Sequence, residues 1–140
     1  MKFARYLLIA IAVVACLPLK GYAADVKVIA NSSVSSSSVS ADDLKDVYLE
    51  NKDSLGGAHV EPVLLKSGAA HEAFLRQYLG KSDPLLQTYY RSLVFTGKGS
   101  MPKALGSDAE VVAYVAKTKG AVGYVSAGTS TEGVKTLEVK

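Results

Sequence analysis

The residues best suited to do chemistry are Lys66-Ser67-Gly68-Ala69-Ala70-His71, where the strand-like run Val60 to Leu65 gives way to a helical pattern. A helix start carries backbone amides without intrahelical acceptors and the positive end of the helix dipole, so it attracts anions. Here Lys66 offers charge and Ser67 a hydroxyl, while Gly68 and Ala69 offer amides that no bulky side chain shields. The ligand-binding set read from these residues is Lys66, Ser67, Gly68 and Ala69, and the ligand is a small oxyanion. The same residues also suit an ordinary serine N-cap, which needs no ligand. Both readings stand at this point.

Other groupings offer less. Gly97-Lys98-Gly99-Ser100 is short for an anion-cradling loop and lacks the terminal Lys-Ser/Thr of a P-loop, so a tight surface turn serves equally well. Lys66-Ser67-Gly68 and Ser100-Met101-Pro102-Lys103 match the K-[ST]-G and S-x-x-K patterns of penicillin-interacting enzymes. They occur in the wrong order, and Pro102 interrupts what would have to be a helix. His59 and His71 are the two histidines and Cys16 the single cysteine, with no H-E-x-x-H pair. We expect no metal, no cofactor and no enzyme activity.

The chain begins with Lys2 and Arg5, an uncharged apolar run from Tyr6 to Cys16, and the small-residue site Gly21-Tyr22-Ala23. This is the pattern of a secretory signal peptide spanning 1–23, leaving one domain over 24–140. The apolar run is well short of the ~20 residues that cross a bilayer. Val13-Val14-Ala15-Cys16 offers a second outcome, a lipid anchor on Cys16. Cleavage after Ala23 leaves 117 of the 140 residues and removes the single cysteine. It also removes Lys2, Arg5 and Lys20, so 16 basic residues become 13 against 13 acidic ones and the formal charge falls from +3 to zero. A neutral chain without a basic run is not a nucleic-acid binder.

The elements that must position the Lys66–Ala69 turn follow from periodicity. Val26–Ala30 reads as a strand, and the following Asn31–Ser40, seven of whose ten residues are serine, as a flexible loop outside the core. Ser40 and Asp43 begin a helix with Leu44, Val47 and Tyr48 inward. Asn51–Gly57 is a turn and Val60–Leu65 a strand, in which Pro62 marks an edge or a strand start. A second helix follows Ser67-Gly68 and ends at Gly80. Asp83 as N-cap and Pro84 restart a third, whose stripe of Leu85, Leu86, Tyr89, Tyr90, Leu93 and Val94 predicts a mainly buried helix. Thr96–Gly106 reads as a loop, and Ser107 with Glu110 as the capping box of a last helix ending at Gly120. Ala121–Val125 and Val134–Val139 are strands. The tyrosines predict an aromatic, polar-tipped rim to the core. Strands alternating with helices make an α/β fold.

Four segments resemble phosphate-type periplasmic solute-binding proteins. Residues 39–52, VSADDLKDVYLENK, resemble their "L-x-x-I-F-x-G-K" helix, and residues 63–74, VLLKSGAAHEAF, their strand, "S-G-T" turn and following helix. Residues 90–99, YRSLVFTGKG, and 120–125, GAVGYV, resemble "W-x-x-x-x-F-x-G-x-G" and "G-A-I-G-Y-V". The resemblance implies a single small lobe of a type 2 periplasmic-binding-protein fold, a mixed sheet with about four helices. It implies a periplasmic receptor of the phosphate ABC-transporter type, binding phosphate or a related oxyanion at Ser67, Gly68 and Ala69, with an ABC permease as partner. Three departures stand out. Ala69 replaces the Thr of "S-G-T", no Arg precedes the turn, and Glu50 stands where the Gly of "F-x-G-K" belongs. No first lobe is evident. A self-paired homodimer would rebuild a two-walled cleft, and the alternative is a periplasmic protein-interaction module that has lost its solute.

Overall fold

The computed structural model describes residues 25–140. The signal peptide and the Cys16 anchor expected from the sequence lie outside the described residues. The elements run β1 (Val26–Ala30), β2 (Ser38–Val39), α1 (Ala41–Tyr48), β3 (Ser54–Leu55), β4 (Ala58–His59), β5 (Glu61–Leu65), α2 (Ala69–Phe74), α3 (Asp83–Phe95), β6 (Lys103–Leu105), α4 (Asp108–Lys117), β7 (Ala121–Ser126) and β8 (Lys135–Val139). Leu75–Leu79 continues α2 as a π-helical turn. The expected mixed sheet with about four helices is what forms.

Six strands make one sheet in the order β2-β8-β1-β7-β5-β6, and β3 and β4 form a separate small hairpin. β1 is antiparallel to β7 and β8, whereas β5 is parallel to both β7 and β6. The alternation along β7 assigns the helices to faces. A Cβ on Gly123 would lie 2.8 Å from Val111 and 3.3 Å from Val115, so α4 packs on that face. Tyr124 points the other way, its ring stacked on Phe74 of α2 at 3.8 Å between centroids. Both faces of the sheet are therefore covered, and β7 is buried from Ala121 to Val125.

The GAVGYV segment owes each distinctive residue to a contact. Gly120 has φ 78°, and a Cβ there would come within 2.6 Å of the His59 carbonyl. Gly123 lets α4 approach the sheet. Tyr124 fills the opposite face with its ring and carries a hydroxyl into the gap beside β5.

That gap is the fold's unusual feature. β5 and β7 pair at Glu61–Ala121 and Pro62–Val122. Further along, side-chain hydroxyls stand between them. Tyr48 donates to Val63 O at 2.9 Å and reaches Val122 O at 3.3 Å, and the Leu65 amide donates to the Tyr124 hydroxyl at 3.1 Å. Pro62 is tolerated because β6 begins its pairing only at Val63.

Several expectations need correction. The tyrosines do not only form a rim: Tyr48, Tyr90 and Tyr124 are fully buried, while Tyr78, Tyr89 and Tyr114 are partly buried at the edge of the core. The first three remain buried because their hydroxyls find backbone acceptors or ring partners. Tyr90 donates to Tyr48 O and Tyr89 to Leu49 O, each at 2.5 Å, so α3 satisfies carbonyls at the end of α1. α3 itself is not mainly buried. Leu86 and Tyr90 are its only buried residues, while Leu85, Val94 and Phe95 are exposed, Phe95 to 93 %. Its broad apolar stripe is wider than the single face that meets the core.

The serine-rich segment is not a loose loop either. Val34 and Val39 are buried, and Ser38–Val39 pairs with β8. Asn31, also buried, donates from Nδ2 to Val115 O at 2.7 Å and Ala116 O at 3.1 Å, satisfying carbonyls near the end of α4. Thr96–Gly106 contains β6. Ser40 and Ser107 cap α1 and α4 as expected, accepting from the Asp43 and Glu110 amides at 3.0 and 3.2 Å. The N-cap of α3, however, is Ser82 rather than Asp83.

Candidate functional site

Lys66, Ser67, Gly68 and Ala69 lie together in the exposed turn between β5 and α2. Ser67 is not the helix cap: that position is Gly68, at φ 105° and ψ 172°, a backbone conformation that side-chain-bearing residues rarely adopt. The first helical bond runs from the Glu72 amide to Gly68 O at 3.1 Å. The amides of Ala69, Ala70 and His71 therefore precede the intrahelical ladder. Lys66 keeps its own amide on Leu105 O at 2.9 Å, which fixes the start of the turn against β6.

The topology gives the turn its setting. α2 leaves the C-terminal end of β5 toward one face of the sheet, and α4 leaves the C-terminal end of the neighbouring parallel strand β6 toward the other. Between such diverging connections lies the crevice at which open α/β sheets take ligands. Lys66-Ser67-Gly68 follows β5 and Gly106-Ser107 follows β6 at this switch point. The Gly106 amide is already taken by the Glu110 carboxylate at 2.9 Å. The sequence missed this switch point because β6, three residues long, is hidden in a glycine-containing stretch.

Behind the turn lies a buried polar chain. Tyr124 Oη is 2.5 Å from His71 Nδ1, and His71 Nε2 is 2.7 Å from Asp83 Oδ1. His71 is 2 % exposed, whereas the Asp83 side chain is 43 % exposed. The Asp83 carboxylate only accepts, so in the neutral ring His71 Nδ1 is left to accept the Tyr124 hydroxyl proton, while that hydroxyl accepts the Leu65 amide. His71 then carries its proton on Nε2 and donates it to Asp83. Burial pushes the Tyr124 hydroxyl's pKa well above the usual tyrosine value, keeping it a donor. Asp83 uses Oδ1 in this bond and is the first residue of α3, with Ser82 at the N-cap position before it. In the sequence His71 stands out only as one of two histidines, near a helix start. Its partners, 12 and 53 positions away, leave no signal in sequence spacing.

The other candidate groups separate. The Gly97 and Lys98 amides close α3 onto Val94 O and Leu93 O, so Gly97-Lys98-Gly99-Ser100 is the end of a helix. His59 lies in β4, apart from His71, and no cluster of three metal-ligating side chains occurs among the described residues. A groove of about 520 Å³ runs beside α2, lined by Glu72, Arg76, Lys81 and Asp83 among others, and does not include the Lys66–Ala69 turn. No described helix is long and apolar enough to cross a membrane.

No protein-family model and no curated protein sequence matches the chain. Solved structures do match its fold. An ABC-type phosphate transport receptor from Vibrio cholerae superposes with a TM-score of 0.62 at 15 % identity, over 81 % of this chain and 45 % of the receptor. A putative phosphate ABC transporter substrate-binding protein from Clostridium perfringens, solved with bound phosphate, gives 0.64 at 15 % identity, over 81 % and 44 %. PstS from Borrelia burgdorferi gives 0.62 at 13 % identity, over 82 % and 47 %. The chain thus spans less than half the length of each of these binding proteins. Its architecture, as the sequence resemblance implied, is that of a single lobe of a phosphate-type periplasmic binding protein.

Proposed function

We propose that this chain is an exported, non-catalytic solute-binding lobe that takes phosphate or a related oxyanion at Lys66, Ser67, Gly68 and Ala69. The observation that carries the reading is the position of that turn. It opens α2 at the C-terminal end of β5, beside the point where the helices following β5 and β6 diverge. Lys66 supplies the positive charge, the Ser67 hydroxyl one donor, and the leading amides of α2 the others. Ala69 carries no hydroxyl, so the turn offers one side-chain donor fewer than the Ser-Gly-Thr it resembles.

A single wall leaves a bound oxyanion partly in water, where solvent and salt weaken each contact. A second wall would raise affinity by excluding water, and a second copy of this chain or another periplasmic protein would supply it. In an ABC-transport system the loaded lobe would hand its ligand to the permease. The direct test is phosphate titration followed by amide NMR, with sulfate in parallel. The expected result is a saturable shift confined to the amides of residues 66–71. Shifts scattered over surface lysines, equal for both anions, would reject the site.

A further inference from the structure

We propose that Tyr124, acting through His71 and Asp83, is the positioning residue of the Lys66–Ala69 turn, holding its amides in a converging arrangement without touching the ligand. The proposal rests on the oxyanion reading above. One hydroxyl grips both ends of the turn: it accepts the Leu65 amide at 3.1 Å on the strand side and meets His71 Nδ1 at 2.5 Å on the helix side. The five residues between those two grips contain the whole binding set. The hydroxyl is itself fixed, because the Tyr124 ring stacks on Phe74 with 4° between planes and meets the edge of Tyr48 at 5.9 Å. Asp83 completes the chain by orienting His71 from the start of α3. Preorganised donors lose little freedom when an anion arrives, whereas a loose turn must be ordered by the ligand at the expense of affinity.

A merely structural tyrosine would stabilise the core as a whole, whereas a positioning tyrosine acts on the turn. Residue-resolved amide exchange on the purified chain separates the two. In Tyr124→Phe the amides of Leu65 and Glu72, the hydrogen-bonded amides at the two ends of the turn, are expected to exchange about tenfold faster, the factor of one lost hydrogen bond. The β1–β7 ladder is expected to keep its protection, and the phosphate Kd to rise about tenfold. Asp83→Ala is expected to speed exchange at the Glu72 amide, whereas Asp83→Asn, which keeps an oxygen facing Nε2, retains wild-type protection. If Tyr124→Phe does not fold, the Asp83 pair decides.

Turn amides as protected as in the wild type, or a loosening shared equally by the β1–β7 ladder, would overturn the proposal. Equal phosphate affinity in the wild type and Tyr124→Phe would also overturn it. A turn that loosens selectively in a protein whose wild type takes no phosphate would uphold the positioning and reject the oxyanion reading instead.

Discussion

The hydroxyl of Tyr48 donates to the carbonyl of Val63 at 2.9 Å and stands 3.3 Å from that of Val122, so a side chain of α1 occupies the space between two parallel strands. With Tyr124, it replaces backbone pairing beyond Pro62 and sets the spacing at the strand ends from which the candidate site departs. Tyr48→Phe keeps the ring against Phe74 and Tyr124 but leaves two buried carbonyls without this donor. The expected loss is about 1–3 kcal/mol of unfolding free energy, measured by urea denaturation. An unchanged midpoint would mean that the strands close up when the hydroxyl is removed.

The buried tyrosines also set an alkaline limit. Burial raises the pKa values of Tyr48, Tyr90 and Tyr124 above the ordinary value of 10.0, so the folded state holds these protons more tightly than the unfolded chain. Their contribution to stability is full below the unfolded value and is lost as the pH rises above 10. Thermal melts across the alkaline range are expected to stay level up to that point and then fall steeply. Phenolate absorbance from these residues is expected only with unfolding. Early titration of all the tyrosines in an intact fold would contradict the packing.

The two glycines of GAVGYV differ in what they tolerate. A Cβ on Gly123 meets methyl groups of the buried Val111 and Val115 at 2.8 and 3.3 Å, so these side chains must give way. A Cβ on Gly120 meets a backbone carbonyl at 2.6 Å, on a residue at φ 78°. Gly123→Ala is expected to cost about 1–3 kcal/mol, and Gly120→Ala more. Equal midpoints in denaturation would remove the distinction.

Glu50 is the one described non-glycine residue at positive φ, 62°, where α1 ends. This is the position at which the resembling "F-x-G-K" helix carries glycine. The structure keeps the left-handed turn without it, and the Asn51 amide closes the helix on Asp46 O at 2.9 Å. Burial and the nearby Asp53 charge also raise the Glu50 pKa. Its ionised form is therefore disfavoured in the fold, and its relative stabilisation at low pH is lost as the pH rises from below 4.5 through the raised value. Glu50→Gly is expected to stabilise the protein at neutral pH by about 1 kcal/mol through relief of backbone strain. A destabilised variant would show that the Glu50 side chain makes a contribution larger than that strain.

Much of this architecture was legible in the chain. Ser40 and Ser107 announced their helices, β1, β5, β7 and β8 were readable as strands, and the four motif segments implied the lobe. What escaped was non-local. Ser38–Val39 becomes a strand only because β8 lies beside it, and β6 only because β5 does. Val34 and Asn31 are buried in a segment whose composition argues for solvent. The four candidate site residues were identifiable because a helix start follows directly from the sequence pattern. The Tyr124–His71–Asp83 chain behind them was not, because it joins β7, α2 and α3 through their folded positions alone.

The central claim is that the turn at Lys66–Ala69 holds an oxyanion, and calorimetric titration of the purified protein with phosphate, with sulfate as the comparison, tests it most directly. The account predicts saturable heat with phosphate, abolished in the Lys66→Ala/Ser67→Ala double variant while its fold is retained. At about 10 mM phosphate, even a site of about 1 mM affinity adds about 1.4 kcal/mol of stability. Neither heat nor thermal stabilisation at that concentration would contradict the claim and leave the lobe as a protein-interaction module.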